Sequence, residues 1–92
     1  INAAEAYRIG LVNLLGHNET LLQTATETIE LIASKAPVAI AKVIESVNAA
    51  FNNEVNGLQF EIDAFAYCAS TDDFQEGASA FLEKRKANFQ GK

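Results

Sequence analysis

A single proline, Pro37, and a series of Asn, Thr and Asp caps divide this chain into stretches whose apolar residues recur at intervals of three and four. That interval is the period of an α-helix, and it restricts the fold more than any other feature. Asn2 with Glu5 three residues on is a capping pair, and Gly10 is a residue type that commonly follows a helix end. A short helix over 3–9 is expected. The apolar run from Gly10 to Leu15 is too short for a helix and reads as a brief extended segment, turned by Gly16-His17-Asn18. A second helix is expected from Thr20, with Gln23 completing a Thr-x-x-Gln cap. Its stripe would be Leu22, Ala25, Ile29, Ile32 and Ala36.

Pro37 ends that helix and suits the first turn of a third. There Ile40, Val43, Ile44, Val47, Ala50 and Phe51 face one way, and Lys42, Glu45 and Asn48 another. Asn52-Asn53 and Asn56-Gly57 break the pattern. A fourth helix over 57–69 places Leu58, Ile62, Phe65, Ala66 and Ala69 on one side. Ser70-Thr71-Asp72-Asp73 then stops one helix and starts a fifth, which runs to about Arg85 with Phe74, Ala78, Phe81 and Leu82 as its stripe. The expected fold is all-α: a small bundle of about five helices with one short extended segment. No repeat, low-complexity stretch or internal boundary divides residues 1–92.

Ninety-two residues suit one small domain, burying on the order of 60–65% of its extended-chain surface. The apolar content of 49% is high for so small a globule, which points to apolar surface reserved for a partner. No methionine occurs, so translation is not expected to begin inside the chain, and a longer parent protein is the expectation. The net charge of −5 argues against general nucleic-acid binding, which needs clustered cations. Four of the seven cations (Lys84, Arg85, Lys86, Lys92) lie in the last nine residues, so residues 1–83 hold three cations against all twelve acids. This is an acidic body with a basic tail. One cysteine, Cys68, fits a reducing compartment as a small buried hydrophobe. Without a bilayer-length apolar run or a secretory signal, no membrane association is expected. The expected location is cytoplasmic, or the mitochondrial matrix in a eukaryote, where a targeting peptide would precede the chain.

The chain shows no catalytic apparatus. His17 sits alone in an Asn/Gly turn and reads as an exposed loop residue; with Cys68 the only thiol, no metal-ligand spacing exists. Glu27 with Glu30, and Glu61 with Asp63, are paired carboxylates of the kind that can do acid–base work, but solvated helix faces account for them. Gly10, Gly16, Gly57, Gly77 and Gly91 are scattered singly and form no phosphate loop. The segment Ala80–Phe89 has two readings. A cationic cluster beside aromatic rings can hold an anion and stack on a base; the same cations can complement the helix dipole and solubilise a tail. Gly77 is a second oddity, since glycine in a helix interior costs roughly 1 kcal/mol relative to alanine. A close helix crossing or a site-shaping need would justify it.

Two stretches carry a family resemblance. Residues 3–13, Ala-Ala-Glu-Ala-Tyr-Arg-Ile-Gly-Leu-Val-Asn, match the pattern A-x-E-A-x-x-x-G-L-V-N. Residues 71–85, from Thr71 through Asp73, Glu76, Gly77, Ala80 and Phe81 to Glu83-Lys84-Arg85, match T-x-D-x-x-E-G-x-x-A-F-x-E-K-R. With Ile32-Ala33, Ala36-Pro37 and Lys42 between them, the chain resembles the C-terminal segment of the enoyl-CoA hydratase/isomerase (crotonase) family. Ser46–Phe51 and Lys84–Phe89 are most similar to short-chain hydratases.

The resemblance implies a parent hydro-lyase that adds water reversibly to trans-2-enoyl-CoA in fatty acid β-oxidation. It implies that both catalytic glutamates and the oxyanion-holding N–H groups belong to an N-terminal spiral domain outside this chain. No catalytic residue is therefore assigned, the fragment alone is expected to be inactive, and no cofactor is expected beyond the coenzyme A thioester substrate. It further implies homo-oligomers, trimers or hexamers, with the helices at subunit contacts. Phe81 and Lys84 would approach the CoA adenine and phosphate, and Phe65 the end of the acyl pocket. The alternative is a helical self-association module from another crotonase member, such as an enoyl-CoA isomerase.

Overall fold

Side-chain caps and backbone turns set the ends of five α-helices in the computed structural model, which describes residues 1–92: α1 (Ala3–Arg8), α2 (Leu21–Ala33), α3 (Pro37–Ala50), α4 (Gly57–Ala69) and α5 (Asp72–Glu83). No strand is present. The chain groups into two units, Ile1–Glu30 and Leu31–Lys92. No linker marks the division, which falls inside α2.

In the first unit Asn2 Oδ1 accepts the Glu5 N–H at 2.9 Å, the expected cap. The Glu5 carboxylate does not return to Asn2. It pairs with Arg8 at 2.6 Å, which holds the carboxyl below its usual range. Past the helix, Gly10 adopts φ +75°, its N–H donating to the Tyr7 carbonyl at 3.1 Å and the Leu11 N–H to the Ala6 carbonyl at 2.8 Å. This left-handed turn satisfies carbonyls that a helix end would leave bare. The segment 11–16 follows without ladder partners. The expected Thr20–Gln23 cap does not form. The Thr20 N–H is already spent on the His17 carbonyl at 3.0 Å, and the Gln23 amide reaches forward to Glu27 at 2.8 Å. The helix therefore begins at Leu21.

In the second unit α3 opens on Pro37 with no side-chain cap, whereas Asn56 and Thr71 cap α4 and α5 through hydrogen bonds from the Gln59 and Phe74 N–H groups. α3 and α4 form an antiparallel pair joined by 51–56, and small residues set their approach. A Cβ built on Gly57 would lie 3.1 Å from the Ala50 Cα. Ala49 and Ala64 are buried, and no large side chain is.

The apolar stripes expected to share one side of each helix are largely uncovered. Val43, Ile44 and Val47 on α3, and Leu58, Ile62 and Phe65 on α4, stand exposed. Backbones brought together over alanine and glycine leave little room between them for long side chains. The buried apolar set of the chain consists of alanines: Ala6, Ala49, Ala64 and Ala80.

α5 departs further from its hydropathy. Its expected face, Phe74, Phe81 and Leu82, is exposed, while Asp73 and Ala80 are each 2% exposed and Glu76 and Gly77 half-buried. Positions 73, 76, 77 and 80 form one helical stripe. That stripe is covered by the chain's own last residues.

Candidate functional site

The last turn of α5 is built by a backbone conformation that its sequence does not favour. Lys84 ends the helix at φ 54°, ψ 40°, the one non-glycine residue in the left-handed region. Its N–H donates to the Phe81 carbonyl at 3.3 Å, and the Arg85 N–H donates to the Ala80 carbonyl at 3.0 Å. The helix thus stops at Glu83, two residues short of the expected end, and the basic cluster lies at and beyond the cap. Phe81 and Lys84 are brought together on this turn: the ring is 83% exposed, and the Lys84 ammonium enters no ion pair.

Arg85 is committed elsewhere. Its guanidinium forks onto Glu76, Nη1 to Oε1 at 2.6 Å and Nη2 to Oε2 at 2.8 Å, while Nε donates to Glu83 at 2.6 Å. Such two-pronged pairs fix geometry as well as charge. The fork, helped by the Asn88 N–H donating to Glu76 Oε1 at 2.8 Å, pulls the Glu76 carboxyl down to about 2. Glu76 and Glu83 in turn raise Arg85 above its ordinary value.

Further along, the Gln90 and Gly91 N–H groups donate to the two Asp73 carboxylate oxygens at 2.6 and 2.8 Å, and the Asp73 N–H donates to the Lys92 carbonyl at 3.1 Å. Phe89 lies over Gly77, where an added Cβ would sit 3.4 Å from the ring. The glycine that looked anomalous in the sequence faces the returning tail.

Phe65 belongs to a separate surface. It is 67% exposed on α4, meets Phe74 edge to face with ring centroids 6.5 Å apart, and lines an open groove of about 440 Å³ with Val43, Val47 and Ala64. Lys42, at the rim, pairs with Glu45 at 2.6 Å and lies 5.2 Å from the Tyr67 ring centroid. Both partners favour its charged form. A second apolar cavity, about 310 Å³, lies beneath the tail between Ala36, Cys68, Phe74 and Phe89.

The sequence reading missed Asp73, Glu76 and Arg85 as interacting residues. The available signal was their register: two acids share a helix face with Gly77 and Ala80, a face too small to be merely solvated. No three His, Cys, Asp or Glu side chains are gathered where they could hold a metal ion, and no helix is long and apolar enough to cross a membrane.

The profile described as Enoyl-CoA hydratase/isomerase matches residues 1–92, and the chain belongs to that family. A crotonyl-CoA hydratase of Syntrophomonas wolfei is 42% identical over 93 residues, covering 100% of this chain and 36% of the relative. A short-chain-enoyl-CoA hydratase of Clostridium acetobutylicum is 41% identical over 87 residues, covering 94% of this chain and 33% of the relative. The crystal structure of an enoyl-CoA hydratase from Bacillus anthracis superposes with a TM-score of 0.89 at 35% identity, over 98% of this chain and 35% of that one. The chain spans about a third of the length of the relatives it matches.

Proposed function

We propose that this chain is the C-terminal helical segment of an enoyl-CoA hydratase, a hydro-lyase that reversibly hydrates trans-2-enoyl-CoA. The observation that carries the reading is family membership along the whole chain, together with relatives named as crotonyl-CoA and short-chain-enoyl-CoA hydratases. The segment's own part in that work is support. Its exposed apolar helix faces pack against the rest of the protein and neighbouring copies in a trimer or hexamer. The turn at Phe81 and Lys84 forms one edge of the CoA site, the ring stacking on the adenine and the ammonium meeting a phosphate. Phe65, on its apolar groove, closes the far end of the acyl pocket.

The deciding experiment is hydration of crotonyl-CoA by the full-length protein that carries this segment, with Phe81→Ala and Lys84→Ala titrated against coenzyme A. Turnover is expected, with weaker CoA binding in both variants. No hydration of crotonyl-CoA sinks the hydratase assignment, and unchanged CoA affinity in both variants removes the site from α5. The segment alone is expected to turn over no crotonyl-CoA. A monomeric sedimentation profile of the full-length protein at high concentration contradicts the assembly.

A further inference from the structure

Lys84 stands between two residues that are both pinned. Glu83 before it and Arg85 after it share an ion pair at 2.6 Å, and Arg85 is forked onto Glu76, nine residues back along the chain. The peptide therefore makes its left-handed bend inside a closed electrostatic loop. Beyond the bend, Glu76 holds the Asn88 N–H and Asp73 those of Gln90 and Gly91. Two carboxylates one helical turn apart thus grip three backbone N–H groups of the tail, with Phe89 seated on Gly77 between them. At Gly91, φ +75°, an added Cβ would sit 3.6 Å from the Pro37 ring.

We propose that Asp73 and Glu76 are positioning residues for the CoA edge. They latch the 86–92 tail onto α5, and this latch holds Lys84 in a conformation that a lysine would otherwise leave. Resting on the function proposed above, the latch explains how the unpaired Lys84 ammonium can be presented in a fixed geometry at a helix end. Ends of this kind ordinarily fray. Neither carboxylate touches the ligand; each acts through the bend.

The test combines backbone exchange with binding in the full-length protein. In the unaltered protein the Asn88, Gln90 and Gly91 N–H groups are expected to be protected from hydrogen exchange. In Glu76→Ala the Asn88 site is expected to open, and affinity for free CoA to fall by about tenfold, the loss that one charge-assisted contact carries. Glu76→Ala combined with Lys84→Ala should bind CoA no more weakly than Lys84→Ala alone, because the first change acts through the second residue. Glu76→Gln, which keeps an acceptor for Asn88 but loses the charged fork, should fall between and serves if the alanine variant does not fold. Tail N–H groups exchanging at free-peptide rates refute the latch. Additive losses in the double variant refute the positioning role alone. Lys84→Ala leaving CoA affinity intact refutes instead the reading of the site on which the role rests.

Discussion

Gly10 and Lys84 occupy equivalent places in two helix-ending turns of the same geometry. Each has positive φ, each donates its N–H to the carbonyl three residues back, and in each the next residue donates to the carbonyl five back. Glycine enters this conformation freely, whereas an L residue is disfavoured by about 1–2 kcal/mol. α1 uses the relaxed solution; α5 keeps a lysine.

Lys84→Gly is therefore expected to stabilise the end of α5 by roughly 0.5–1 kcal/mol after allowing for the extra freedom of glycine in the unfolded chain. The same change should weaken CoA binding, since the ammonium is lost. Urea unfolding beside calorimetric titration with CoA checks both signs. Lower stability in the glycine variant means the bend carries no strain.

Two helical glycines should respond oppositely to alanine. A Cβ at Gly57 meets α3 backbone 3.1 Å away, which cannot yield without moving the helix pair apart. At Gly77 the nearest atom is the Phe89 ring edge at 3.4 Å, an ordinary contact. Gly57→Ala is expected to lower thermal stability despite its helix propensity. Gly77→Ala should be neutral or stabilising by up to about 1 kcal/mol. A bulkier Gly77→Leu should expel Phe89 and expose the tail to protease.

The positions of the helices were legible and their inner faces were not. α4 runs over the expected residues because Asn56 and the Ser70-Thr71 stop act locally, within one turn of the chain. The Thr20 cap failed because a preceding turn competed for the same backbone group, which spacing alone does not reveal. The stripes on α3 and α4 were legible only as shared sides, because periodicity shows that apolar residues share a side and no more. It does not show that this chain supplies what covers that side. α5 is the clearest case: the face it buries, Asp73 to Ala80, is paired with residues up to nineteen positions away, beyond the reach of any local rule. Phe65, Phe81 and Lys84 entered as expectations drawn from resemblance, while the fork of Arg85 on Glu76 joins residues nine positions apart, which no local spacing announced.

Asp73 is the only buried charged residue, and both of its oxygens are used. Asp73→Asn replaces one acceptor with an amide that must face a backbone N–H, donor against donor. A loss of about 1–3 kcal/mol is expected, the penalty for a buried polar group without a partner. Chemical denaturation measures it, and a change within error places the tail off α5 in solution.

Acid should open the latch late. The Glu76 carboxyl ordinarily titrates at 4.5, and Arg85 with the Asn88 N–H holds it at about 2 in the folded chain. A depressed carboxyl contributes stability that is fully present above its unfolded value and is lost as pH falls through its folded one. The Glu76 contribution should therefore be intact at pH 6, decline below about 4.5 and be gone below about 2, with Glu83 and Asp73 the other acids on the same clamp. Exchange protection at the Asn88 N–H, followed down this range, should fall with that profile. In Glu76→Gln the Glu76 component of the pH dependence should vanish, since the amide does not titrate. A Glu76 side-chain carbon signal that titrates at an ordinary carboxyl pH in the unaltered protein shows that the fork with Arg85 does not persist in solution.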